Sequence, residues 1–188
     1  MSSSQIKALA FDVFGTVVDW RSSISRQAAE LGAKHGVDAD WDKFADDWRA
    51  GYGAGMAKVN SGEDEWKIVD QIHRERLEVI LEQYGFPNID GAELTEFNKA
   101  WHRLDGWPDS TAGLTRLKSK YIITSLSNGN IALLTNMAKY ANLPWDAVLS
   151  AEFAGKYKTH PRAYQRTAEL LGLDYDEVML VAAHTCDL

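Results

Sequence analysis

Apolar and polar positions divide the chain into three successive patterns. The first is an apolar run from Ile6 to Phe11, which reads as a short buried strand. It stops at Asp12, and Gly15 permits a tight turn directly after it. The second pattern is helical. Ser22 or Ser23 is placed to cap a helix that carries Ile24, Ala28 and Leu31 and ends near Gly36. Trp41, Phe44, Trp48, Tyr52 and Met56 then recur at spacings of three and four, as one apolar stripe on a second helix. A third helix carries Trp66, Val69, Ile72, Leu77, Ile80 and Tyr84 and stops at Gly85; a fourth carries Leu94, Phe97 and Trp101. Aromatic stripes of this kind read as the packing of a small bundle.

The third pattern begins at Trp107-Pro108-Asp109. A helix from Thr111 to Lys118 leads into the β-branched run Tyr121–Leu126, which ends at Ser127-Asn128-Gly129-Asn130. Another helix runs through Leu133, Leu134 and Met137, and Ala147-Val148-Leu149 reads as a short strand. Pro161 opens a helix over Ala163–Leu171 that Gly172 closes, and Val178–Ala183 reads as a last buried strand. Strands alternating with helices predict a parallel sheet with right-handed crossovers. The helical stretch after the first strand is too long for one crossover. The expected organisation is an α/β core of residues 1–20 and 106–188, with residues 21–105 inserted as a helical cap.

Composition narrows the classes of function. The 188 residues are 45% hydrophobic, which is ordinary for a folded protein. Net charge is −7 and the pI about 5.2, with no dense run of Lys and Arg, so nucleic acid and anionic membranes are not expected partners. No apolar run approaches the ~20 residues of a membrane span. Met1-Ser2-Ser3-Ser4-Gln5 lacks the basic flank and apolar core of a signal peptide. Cys186 is the single cysteine, so no internal disulfide forms, and no pattern that would activate it as a nucleophile is evident. A soluble cytoplasmic protein is expected, in which an anionic ligand meets locally placed positive groups.

Polar residues gather at four points just past the strands or in the loops that follow: Asp12 with Thr16, Ser127 with Asn128, Lys158, and His184 with Asp187. In a parallel sheet those ends converge on one edge. Two carboxylates, a hydroxyl and an ammonium on one rim suit nucleophilic catalysis. On the second helix Trp48 lies on the apolar stripe, so Arg49 lies about 100° round and is free to reach a cleft edge.

These stretches, Phe11-Asp12-Val13-Phe14-Gly15-Thr16-Val17-Val18-Asp19, Ser127-Asn128-Gly129, Tyr157-Lys158 with Pro161 and Tyr164, and Val181-Ala182-Ala183-His184 with Asp187, resemble the four motifs of the haloacid dehalogenase superfamily. Within it, the pattern is similar to the type II 2-haloacid dehalogenases, over nearly the whole chain. The resemblance implies a Rossmann-like core with a helical cap, no cofactor, no metal, and a homodimer. It implies that Asp12 displaces halide from C2 of a short 2-haloalkanoate, giving an ester that water then hydrolyses to a 2-hydroxy acid. Lys158 would keep Asp12 ionised, Thr16 would hold its carboxylate, and Asp187 would orient or deprotonate the water, with Tyr164 supporting this network. Ser127 would bind the substrate carboxylate, while Arg49 and Asn128 would receive the halide. Phosphatases of the superfamily carry a second acid where Phe14 stands. An apolar ring neither protonates an alcohol nor ligates a hard cation, whereas halide leaves as a stable anion.

Departures from the family pattern bear on the expected chemistry. Lys158-Thr159-His160 precedes Pro161 where relatives often have Lys-Pro-Asp, and His184 is expected only to line the site or support it. Relatives continue beyond the equivalent of Leu188 with a further strand and helix. The strand Val178–Ala183 is therefore expected at a sheet edge, favouring oligomerisation or a less stable protein. Two alternatives to dehalogenation follow: a phosphatase of the same superfamily, and a catalytically impaired chain keeping only the fold.

Overall fold

The computed structural model describes residues 5–187. Met1–Ser4, read above as no part of a signal peptide, and the side chain of Cys186 lie outside the described residues. The sheet forms around β1 (Ala8–Phe11), which is buried along its whole length. It lies between β4 (Ile122–Ser125) and β5 (Val178–Val181), all three parallel. Register sets Phe11 level with Ser125 on one side and Val181 on the other. The ladder runs one step further, with Leu126 N donating to Phe11 O at 2.7 Å and Asp12 N to Val181 O at 2.9 Å. Three chain segments therefore leave the sheet at one level, which puts the residues after them on a common rim.

Four helices follow β1: α1 (Trp20–His35), α2 (Trp41–Ser61), α3 (Val69–Gln83) and α4 (Gly91–Asn98). A two-residue antiparallel ribbon brackets them, β2 (Val18–Asp19) pairing with β3 (Asp105–Gly106). Beyond it come α5 (Ser110–Lys118), α6 (Ile131–Tyr140) and α7 (Pro161–Leu171). One continuous apolar core joins the sheet to the helical block, from Leu9 and Phe11 through Phe14 and Trp101 to Trp48 and Phe44. No helix among the described residues is long and apolar enough to cross a membrane.

Several expectations are corrected in detail. Asp19, not Ser22 or Ser23, caps α1, its carboxylate accepting from Ser22 N. The Ser23 hydroxyl instead donates to Asp19 O and accepts from Asp105 N, tying the helix start to the ribbon. Trp66 precedes α3 rather than lying on it, and stacks on Tyr157 at 4.7 Å. Trp101 falls in a 3₁₀ turn (Lys99–His102) after α4. Ala147–Leu149 is not a strand: Ala147 makes an isolated bridge with Thr124, and the next is at Ser150 with Ser127. The reason is that β4 side chains occupy the groups a ladder needs: Thr124 Oγ1 donates to Ala147 O, and Ser125 Oγ to Leu149 O. The last strand is half-buried, with Met179 46% exposed, because β5 is an edge of the described sheet.

Phe44 is the hub of the helical block, fully buried and in ring contact with Trp41, Trp48, Tyr84, Phe86 and Phe97. Phe44→Ala is expected to cost about 3–5 kcal/mol, lowering the melting midpoint by roughly 10 °C in a thermal scan.

Candidate active site

Asp12 is the first residue past β1, and the turn after it folds back at once, Val17 N donating to Val13 O at 2.9 Å. Gly15 makes that turn with φ of 85°, and a Cβ there would meet the His184 ring at 3.1 Å. The turn carries Thr16 back to the carboxylate, where its hydroxyl donates to Asp12 Oδ2 at 2.8 Å. Thr16 Oγ1 also accepts from Ala183 N at 2.9 Å, locking the end of the first strand to the segment after β5.

The loop before α7 supplies Lys158. Its ammonium donates to Asp12 Oδ1 at 2.9 Å and to Asp187 Oδ2 at 2.8 Å, and Tyr164 on α7 donates to Asp187 Oδ1 at 2.9 Å. The side chains of Lys158, Asp12 and Asp187 are 4%, 8% and 6% exposed, so the three charges meet almost without water. Burial by itself would lower the lysine pKa. Asp12 and Asp187 outweigh it, and the net shift is upward. Two carboxylates against one ammonium leave the group net negative, so an anionic substrate needs further positive groups or N–H donors nearby.

Both halves of the chain fix the lysine loop. Lys158 N donates to Asn128 Oδ1 at 2.7 Å. Asn60 on α2 takes Tyr157 N at 3.0 Å and donates to Tyr157 O at 3.1 Å, and the Tyr157 hydroxyl donates to Lys67 O. Asn60 escaped the sequence reading because an Asn near a helix end carries no distinguishing pattern.

The structure thus gathers Thr16, Asp12, Lys158, Asp187, Tyr164 and, through the loop backbone, Asn128. His184 joins them from the other side, its Nε2 donating to Phe14 O at 2.9 Å and lying 3.7 Å from Asp12 Oδ2. Ser127 is fully buried, and its hydroxyl accepts from Gly129 N at 3.2 Å, a bond within its own turn rather than to the cluster. Arg49 and Phe14 make a neighbouring box. The Arg49 guanidinium carbon lies 3.9 Å from the Tyr52 ring centre, 5.1 Å from Phe14 and 5.8 Å from Trp101. Tyr52 connects box and cluster: burial raises its phenol pKa, against the charges of Arg49 and Lys158 and a hydrogen bond with Asn128. Among the described residues, no three His, Cys, Asp or Glu side chains are grouped to hold a metal ion.

A parallel sheet whose central strand ends in a buried, lysine-bound aspartate is the framework of a class of α/β hydrolases. The profile of the haloacid dehalogenase-like hydrolases matches residues 6–181, and the chain belongs to that family. It is 31% identical over 187 residues to the (S)-2-haloacid dehalogenase 4A of Burkholderia cepacia, covering 97% of this chain and 77% of that one. Among solved structures it is similar to the defluorinating L-2-haloacid dehalogenase Rha0230, at 48% identity and a TM-score of 0.94, over 97% of this chain and 75% of the other. It also matches L-2-haloacid dehalogenase from Xanthobacter autotrophicus with chloropropionic acid covalently bound, at 25% identity and a TM-score of 0.83, over 97% and 72%.

Lys158→Met leaves Asp12 and Asp187 buried without their cation, and is expected to cost about 3–5 kcal/mol in denaturant unfolding. Because the lysine pKa is raised, its contribution is complete at neutral pH and is lost as pH rises through the folded value. The gap between wild type and variant should hold from neutral pH upward and close only above the ordinary value of 10.5.

Proposed function

We propose that the chain hydrolyses the carbon–halogen bond of short (S)-2-haloalkanoic acids, giving 2-hydroxy acids through an ester on Asp12. An Asp12 carboxylate oxygen attacks C2 from the side opposite the halogen, and the halide leaves with the bonding pair. Water then attacks the Asp12 carboxyl carbon. One proton from water passes to the departing alkoxide and the other is released to solvent, so that Asp12 is regenerated as a carboxylate carrying one oxygen from solvent. The observation that carries this reading is the company of Asp12: Thr16 on one oxygen, Lys158 on the other, and a buried phenyl ring two residues on. Phe14 offers no acid for an alcohol leaving group and no oxygen for a hard cation, which favours halide over phosphate ester as the leaving group and a reaction without metal.

Lys158 pairs with Asp12 and aims it, while Asp187, steadied by Tyr164, receives the proton from water. Arg49 and Asn128 face the halide. Ser127 and the amides of its turn meet the substrate carboxylate once the Gly129 bond gives way. His184 lines the Asp12 pocket. The helical block, residues 21–105, serves as a cap over this rim; the ribbon at Val18–Asp19 and Asp105–Gly106 supports that division. The chain works as a cytoplasmic homodimer, a reading supported by its lone cysteine and by the resemblance of its motifs to the 2-haloacid dehalogenases. Sedimentation showing a dilution-resistant monomer would remove the dimer.

The test is chloride release from (S)-2-chloropropionate with EDTA present. Asp12→Asn should lower turnover by about 10³-fold or more. After a single turnover in heavy-oxygen water, mass spectrometry should find the label in the Asp12 peptide. A Mg²⁺ requirement, or label confined to the product, would sink the mechanism.

A further inference from the structure

Two loops carry polar groups to the rim around Asp12, and one stretch of the helical block holds both. It runs from the last turn of α2, at Asn60, to the first turn of α3, at Asp70. At its start, Asn60 meets both main-chain groups of Tyr157, accepting from the N–H at 3.0 Å and donating to the carbonyl at 3.1 Å. In its middle, Trp66 stacks on the Tyr157 ring at 4.7 Å, and Lys67 O accepts from the Tyr157 hydroxyl. Burial raises the pKa of that phenol, so it keeps the proton it donates. At its end, Asp70 N donates to Asn130 Oδ1 at 3.2 Å, and Asp70 Oδ2 accepts from Asn130 Nδ2 at 2.9 Å. Lys158 N, donating to Asn128 Oδ1, ties the two loops to each other.

The stretch is itself braced. Asp64 N donates to Lys58 O at 3.1 Å, and the Lys67 ammonium lies 3.0 Å from both Asp64 and Glu75. Tyr157 is thus gripped by its amide, its carbonyl, its ring and its hydroxyl, and it is fully buried. The next residue is Lys158. A lysine carries its charge on a flexible stem, so the ammonium arrives where the main chain and the walls around the stem send it. Here the side chain is 4% exposed, which leaves the stem little slack. A shift of the main chain at residue 157 is therefore passed on to the ammonium.

We propose that Asn60 is a positioning residue for the lysine: the helical block, through Asn60 and the stretch after it, sets the main chain at Tyr157 so that the Lys158 ammonium lands between Asp12 and Asp187. This rests on the haloacid-hydrolysis reading for its effect on turnover, though not for its effect on the lysine. The nucleophile then meets its cation only while the helical block is seated on the sheet.

The test reads the lysine directly, in the whole chain, with trace acetic anhydride as the probe. Mass spectrometry compares acetylation of Lys158 with that of the exposed Lys120. Only the free amine reacts, so Lys158 in wild type should be about tenfold slower than Lys120, or slower still. Asn60→Ala keeps the helix, alanine being the better helix former, and should remove most of that protection. Its kcat should fall about 10- to 100-fold, while KM for (S)-2-chloropropionate changes less than about threefold. Asn60→Asp still accepts from Tyr157 N but has no N–H for the carbonyl, and should fall between; it carries the comparison if Asn60→Ala does not fold. Ile80→Val, a trim at a fully buried position elsewhere in the block, should melt lower with Lys158 labelling and kcat unchanged. If the Asn60 variants melt lower yet protect Lys158 as wild type does, Asn60 only packs the block and the proposal is overturned. A wild-type Lys158 that reacts as fast as Lys120 also overturns it. Protection lost in Asn60→Ala, in a chain whose wild type releases no halide, would support the positioning while removing the hydrolysis reading.

Discussion

One ammonium shared by two carboxylates governs this molecule. Asp12 comes from the end of β1, Asp187 from the segment after β5, and Lys158 from the loop before α7. None of these segments is near another in sequence. Each carboxylate would be costly to bury alone, and a lysine in the same place would tend to lose its proton. Together they are stable only when all three segments are in place. The register of the sheet, the fold-back at Gly15 and the Asn60 and Asn128 clamps on the lysine loop all serve that meeting. A cluster of two carboxylates about one ammonium results, and it fits the proposed chemistry well: a carboxylate nucleophile beside a cation, with a second cation, Arg49, held nearby in a box of rings.

The helical block is coupled to the sheet at its polar edge as well as through the core. Asp70, in the first turn of α3, exchanges hydrogen bonds with Asn130, which caps α6 just past the Ser127 turn. The same carboxylate accepts from His102, whose other ring nitrogen meets Asn136 on α6. A displacement of α3 is therefore felt within a few residues of Ser127 and Asn128. These bonds are local and directional, and they compete with water only weakly where His102 is buried.

How much of this could be read from the chain depends on what kind of interaction made it. Apolar periodicity located α2, α6 and α7 well, because burial itself imposes the period. It misplaced Trp66 and Trp101, since an aromatic residue packs as readily from a loop or a 3₁₀ turn as from a helix. It turned Ala147–Leu149 into a strand, because side-chain bonds from Thr124 and Ser125 leave no trace in a hydropathy pattern. Asp12, Thr16, Lys158, Tyr164 and Asp187 were visible because their motifs recur in a family and a parallel sheet brings strand ends together. Asn60 was hidden, since an asparagine near a helix end carries no distinguishing pattern. The ribbon of β2 and β3 was hidden too, because two residues are too short to show alternation.

That ribbon changes the economy of folding. The sheet must pair Phe11 with Ser125 across the entire helical block. Once Val18 meets Gly106, the chain between β1 and β4 is short-circuited to two brief connections, and the remaining helices hang from it as a closed appendix. By the logarithmic cost of loop closure, the shortcut lowers the entropy of joining the strands by about 1 kcal/mol. Two residue pairs thus let a long excursion in sequence behave, for the sheet, almost like a turn.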